Sequence, residues 1–292
     1  KIPYLVVYNK EDLIDKKDYI EADKNIFSEK FLKVSAKTGL GINELKVKLG
    51  SFAALLKNEK HLVSDLVSPK DLVVLVIPID ESAPKGRLIM PQQMVIRDLL
   101  DAHCNVTCCQ VEELENFLKI LKESPKLVIT DSQVFKAVST IVPEDILLTS
   151  FSILMARYKG DLDTLAASAK ALSQLRDGDK VLVAEGCVHH RQCNDIGTKK
   201  IPLWIEKYSG AKPDYVFVSG GDFPENLSEF KLIVHCGGCM LNETEMKNRI
   251  SKAKGAEIPI VNYGMAIAQM NGILDRAMKV LDDKWYVGGD EL

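Results

Sequence analysis

These 292 residues contain no run of 18 or more apolar side chains and no leader of basic, apolar and small residues in turn. Nothing is expected to cross or leave through a membrane, and a cytoplasmic protein is the expectation. An excess of either charge is missing too: 38 basic and 41 acidic side chains, well mixed, leave a net charge of −3. That balance gives no footprint for nucleic acid or an anionic membrane surface. Internal repeats and low-complexity tracts are not visible, so neither a solenoid nor a long disordered tail is expected. What the chain does have is cysteine, at Cys104, Cys108, Cys109, Cys187, Cys193, Cys236 and Cys239. In a large chain not patterned for secretion these point to reduced thiols and metal, not to disulfides.

The length is about twice that of a typical domain, and three small domains fit it as well as two. The chain opens on Lys1-Ile-Pro-Tyr-Leu-Val-Val, which reads as mid-strand, so a preceding part is expected upstream. Residues 1–57 read strand, loop, strand, helix. A charged connector runs from Lys57 to Lys70. A second βα series follows, in which Asp71-Leu-Val-Val-Leu-Val-Ile77 is a continuous apolar run expected of a covered strand. That run is too apolar for an open edge, which suggests pairing with a second chain. From Phe151 an alanine-rich helix is expected to about Leu175, and from Ala266 another to Leu281. Between them strands and helices alternate again. The expectation is an α/β protein with parallel sheets in three domains, 1–57, 58–150 and 151–292.

Two strand-like runs deliver thiols to the same kind of place. Lys180-Val-Leu-Val-Ala-Glu185 leads into Gly186-Cys187-Val-His189, and Lys231-Leu-Ile-Val-His235 leads into Cys236-Gly-Gly-Cys239. Each strand end presents a soft thiolate beside an imidazole, and glycines let both sulfurs of the C-x-x-C turn to one centre. That pattern reads as a zinc site completed by His or as a cubane iron–sulfur site one cysteine short of four. The fourth position would fall to a His, a carboxylate or an exchangeable group. His189 and Asp195 are the side chains to test there. His235 is a poorer ligand, because adjacent strand residues point to opposite faces. Cys193 is an alternative ligand that nothing requires, and His190 reads as a surface group. Cys104, Cys108 and Cys109 read as small hydrophobes in a core.

Near the start, Asn9-Lys10-Glu11-Asp12 ends one strand and Ser35-Ala36-Lys37 ends the next. The pair resembles the guanine-recognition loops of translation-factor-like GTPases. A carboxylate at Asp12 can accept both N1–H and the exocyclic amine of guanine, which adenine does not offer. No G-x-x-x-x-G-K-[ST] phosphate loop and no Asp-x-x-Gly magnesium element occurs in the chain. These residues alone are not expected to hydrolyse GTP.

Taken together, the guanine pair, the middle βα series and the stretches Cys187-Val-His189-His190-Arg191-Gln192-Cys193 and Val234-His235-Cys236-Gly-Gly-Cys239-Met240 resemble the HydF family. These are the GTPases that serve maturation of FeFe-hydrogenase. The resemblance covers the whole chain, apart from an abbreviated loop at Ser209 to Lys212. It implies a partial P-loop GTPase domain (1–57), a dimerisation domain (58–150) and a Rossmann-like cluster domain (151–292). It implies GTP at Asn9, Lys10, Asp12, Ser35, Ala36 and Lys37, with Mg²⁺ in the intact protein. It also implies a 4Fe-4S cluster on Cys187, Cys236 and Cys239, with His189 and His235 as accompanying histidines. The implied role is a homodimeric scaffold that takes a diiron precursor from radical-SAM enzymes and passes it to apo-hydrogenase. A zinc-stabilised GTPase with a C-terminal interaction module is the alternative.

Overall fold

The structure is a computed structural model that describes residues 4–13, 31–55, 60–79, 86–186 and 195–285. The chain divides into two compact units, residues 1–60 and 61–292. In the first, β1 (Val6–Tyr8) pairs in parallel with β2 (Phe31–Lys33), and α1 (Ile42–Leu55) follows. The turn into α1 requires glycine. Gly41 has φ of +70°, and a Cβ there would lie 2.4 Å from the Lys33 carbonyl.

The second unit holds two four-stranded parallel sheets. One contains β3 (Leu72–Val76), β4 (Asn105–Cys109), β5 (Leu127–Thr130) and β6 (Leu147–Ser150) in the spatial order β4-β3-β5-β6. The helices α2 (Met90–Asp101), α3 (Val111–Ile120) and α4 (Phe135–Ile141) connect its strands. The other contains β7 (Lys180–Glu185), β8 (Asp214–Ser219), β9 (Leu232–His235) and β10 (Ile260–Asn262) in the order β10-β9-β7-β8. Its connecting helices are α7 (Ile201–Ser209) and α8 (Glu243–Gly255). Counted along the chain, each sheet has the order second, first, third, fourth. This is a structural repeat that the sequence did not reveal, because equivalent strands share only apolarity. In such a doubly wound sheet the order reverses between the first and third strands, and ligands sit beyond their carboxyl ends.

Burial follows the order. Val73 to Val76 of β3, all of β5 and all of β9 are buried, as expected of strands covered on both faces. The apolar run of β3 is therefore explained by its interior place, not by a second chain. β6 and β10 lie at sheet edges, and α10 (Leu274–Trp285) and α6 (Leu162–Ser168) pack against them. β4 and β8 are the less buried edges, and Cys108 on β4 is exposed. Of the three cysteines expected in a core, Cys104 is buried and Cys108 is not.

Both long helices expected from the sequence are broken. The first stops at α5 (Phe151–Lys159), where Gly160 leaves the helix with φ of −106° and ψ of −148° in a place where a Cβ would meet the Ala156 carbonyl at 2.7 Å, and Asp161 accepts from Thr164 N at 3.1 Å and starts α6 afresh. A 3-10 turn over Ala169–Gln174 then replaces helix. The second divides into α9 (Tyr263–Met270) and α10 at Asn271-Gly272, where Gly272 has φ of +69°. The two sheets are joined through their carboxyl ends. Ser132 and Ser152 hydroxyls lie 3.0 Å apart, and Asn262 donates to the Ser152 carbonyl at 3.0 Å.

Candidate metal centre

β7 and β9 are the first and third strands of their sheet and lie side by side, with Ala184 opposite His235. The two cysteine segments therefore leave the sheet at the point where its order reverses. Polar burial concentrates on the same rim: Glu185, His235 and Asn262 end β7, β9 and β10, and all are buried. Buried polar groups of this kind are held by hydrogen bonds.

Cys236 is fixed by its main chain, since its N–H donates to Ala184 O at 2.8 Å. Its sulfur accepts from Gly186 N at 3.0 Å and from Gly238 N at 3.4 Å. Two N–H groups aimed at one sulfur favour its thiolate form. Glycine is required on both sides. A Cβ on Gly186 would meet Leu241 Cγ at 2.7 Å, and Gly238 has φ of +61°. Among the described residues no group of three His, Cys, Asp or Glu forms a metal site. Cys236 and Cys239 are two of the expected ligands, while Cys187, His189, His190 and Cys193 lie outside the described residues. Gly186, the residue bonded to Cys187, is nevertheless the one whose amide reaches Cys236.

His235 meets this loop at the Cys236 main chain, not at its sulfur. Its Nδ1 lies 2.7 Å from Cys236 O and its Nε2 lies 3.0 Å from Arg249 Nη1. A guanidinium only donates, so Nε2 accepts and Nδ1 carries the proton. Burial pushes the His235 pKa down to about 4, with Arg249 adding to the shift and the Cys236 carbonyl and Glu245 opposing it. Both ring nitrogens are thus occupied by protein partners. Asp195 caps a single π turn, Ile196–Lys200, by accepting from Thr198 N at 2.8 Å and Thr198 Oγ1 at 2.9 Å. One carboxylate oxygen of Asp195 is therefore engaged.

Three residues of the site went unnoticed in the sequence. Arg249 is 1% exposed, bonds Glu245 at 2.8 Å and Gly220 O at 2.6 Å, and lies 5.0 Å from the centre of the Phe223 ring. Its signal was positional: Met246, Arg249, Ile250 and Ala253 make one buried stripe on α8. Lys159 donates to three carbonyls of the cysteine turn, and burial holds its pKa below the lysine range while Cys239 works the other way. Glu185 is buried against Gly197, where a Cβ would come within 2.6 Å of its Oε1.

The guanine-type loops come together in the first unit. Asn9 Oδ1 accepts from Lys10 N at 2.8 Å and from Ala36 N at 3.0 Å. Ser35 donates to Asp12 Oδ1 at 2.5 Å, and Lys10 takes φ of +66° in the turn. Lys37 is exposed.

Family profiles match most of the second unit. The hydrogen maturase F dimerization domain matches residues 62–160, and the hydrogen maturase F tetramerization domain matches residues 163–280. The chain belongs to the hydrogen maturase F family. In this family member the first profile takes in the β3 to β6 sheet and the second takes in the β7 to β10 sheet with Cys236 and Cys239. Curated proteins provide no match. A solved 5,10-methylenetetrahydrofolate dehydrogenase from the silkworm Bombyx mori is 10% identical over 84% of this chain and 94% of its own, with a TM-score of 0.22, too low to carry an argument.

Proposed function

We propose that this hydrogen maturase is a scaffold and carrier that holds a 4Fe-4S cluster through Cys187, Cys236 and Cys239. The observation that carries the reading is the amide of Gly186 on the Cys236 sulfur, which joins the two cysteine segments at the reversal point of the sheet. The donor set fits a soft metal group: thiolate sulfur, backbone N–H groups directed at it, and a half-buried lysine behind the turn. When bound, a cubane held by three thiolates leaves one iron for an exchangeable ligand, at which a diiron precursor can dock as cargo. His189 and Asp195 are the side chains to compete for that position, and Asp195 would have to give up part of its cap. His235 instead holds the Cys236 carbonyl in place.

Residues 1–57 would contribute the base-recognition half of a GTPase. Asn9 and Ser35 would pre-set Asp12 and the Ala36 amide for guanine, with Lys10 and Lys37 flanking. With no phosphate loop in these residues, this chain should bind GTP only weakly. GTP would act as a conformational or affinity switch between the radical-SAM donors and the apo-hydrogenase acceptor. Residues 58–150 and 151–292 would be the dimerisation and cluster domains. A zinc-stabilised GTPase is not favoured by the family match.

An anaerobic maturation assay tests this. Cys236→Ser and Cys239→Ser should each abolish activation of apo-hydrogenase, while Cys109→Ser, on β4, should leave it at the wild-type level. Full activation by Cys236→Ser would overturn the reading.

A further inference from the structure

All three N–H groups of the Lys159 ammonium end on the cysteine turn: Gly238 O at 3.4 Å, Cys239 O at 2.9 Å and Leu241 O at 2.8 Å. An ammonium has three donors and no acceptor, so these contacts use its whole capacity. The residue arrives from a different element. It is the last residue of α5, which starts directly after β6 and packs against α8 and α9. A planar trans peptide holds its C=O and N–H on opposite sides. Drawing the Gly238 and Cys239 carbonyls onto the ammonium therefore turns the N–H groups of Cys239 and Met240 to the other side of the turn. A half-buried full charge is costly, and here it stands with all its donors on main-chain carbonyls.

We propose that Lys159 is a positioning residue for the thiolate site. It fixes the Cys236-Gly-Gly-Cys239 turn and places a positive charge behind it, which offsets the negative charge that thiolates and sulfide gather. The inference rests on the cluster reading above. Net charge and hydrogen bonding around sulfur set cluster potentials. A positive charge favours the reduced, more negative form.

The test uses the full chain, reconstituted anaerobically with iron and sulfide, as wild type, Lys159→Arg, Lys159→Gln and Lys159→Met. Reduction is followed by EPR against solution potential. In the cluster that Lys159→Gln and Lys159→Met bind, the reduced-to-oxidised ratio at fixed potential should be at least about tenfold lower, about 59 mV for one electron. Lys159→Arg should stay close to wild type. Equal potentials in all four overturn the inference. If Lys159→Met does not fold, Lys159→Gln against Lys159→Arg decides by the same criterion. A wild type that takes up zinc and no cluster overturns the cluster reading and this inference with it. A wild type with cluster and an unshifted Lys159→Gln overturns this inference alone.

Discussion

His235 is held neutral at pH 7 by its surroundings: it is fully buried, Arg249 donates to Nε2, Phe223 packs nearby, and the Cys236 carbonyl accepts from Nδ1–H. With a folded pKa of about 4 against an ordinary 6.5, the unfolded chain binds a proton between those values that the folded chain refuses. Stability is therefore fully present above about pH 6.5 and falls as pH drops toward 4, by about 3 kcal/mol in all. Thermal melts of the metal-free protein from pH 7 to 4.5 should show this loss in wild type and not in His235→Gln. Parallel curves would mean that His235 does not titrate as stated. His235→Ala should cost about 1–3 kcal/mol by leaving Arg249 Nη1 unmatched in the core, yet keep its iron. Iron loss as complete as in Cys236→Ser would contradict its assignment as a support. Gly186→Ala forces Leu241 aside and shifts the amide that reaches Cys236. It should reduce iron uptake several-fold more than Gly255→Ala, where an added Cβ meets nothing.

α10 is the element whose place the sequence least suggested. It follows the last strand of one sheet but packs on β6 of the other. Arg276 anchors it by donating to Ser139 O at 2.9 Å, Val142 O at 2.8 Å and Pro143 O at 2.6 Å, the carbonyls at the end of α4. Arg276→Met should lower stability in urea by about 1–3 kcal/mol and reduce hydrogen-exchange protection in β6. Unchanged protection there would show that α10 does not hold that edge. The strands themselves could be read from their apolar runs, since a strand covered on both faces has no other composition available. Helix breaks could not, because Gly160 and Asn271-Gly272 sit in stretches whose apolar spacing runs straight on. Cys236 and Cys239 stood out as candidates through type and spacing. Lys159 and Arg249 did not, because a lysine at a helix end and an Arg four residues after a Glu usually face solvent.

The two sheets share one strand order, and the same strand of each, β4 and β8, is the less covered edge. Ladder bonds from Asn105 N to Asp71 O and from Ile77 N to Cys109 O turn residues 105, 107 and 109 toward β3, so Val106 and Cys108 present their N–H groups outward. By the same alternation Asp214 N bonds Asp179 O, and Phe217, itself 38% exposed, points its N–H outward on β8. Open edges pair with other chains, and the matched profiles are those of a dimerization and a tetramerization domain. Proline at an outward position removes that pairing without breaking the inner ladder. In light scattering Cys108→Pro should remove any dimer, and Phe217→Pro should leave dimers while removing any tetramer. Unaltered masses would place the contacts elsewhere.

The proposed cluster is the central claim, and metal analysis reaches it most directly. Iron, acid-labile sulfide and zinc should be measured on the anaerobically reconstituted chain, with EPR after reduction. About four irons and four sulfides per chain, brown colour and a reduced-cluster signal are predicted. All of these should be lost together in Cys187→Ser, Cys236→Ser and Cys239→Ser. One zinc per chain in a colourless, EPR-silent protein, or a full iron complement in any of the three variants, would contradict it.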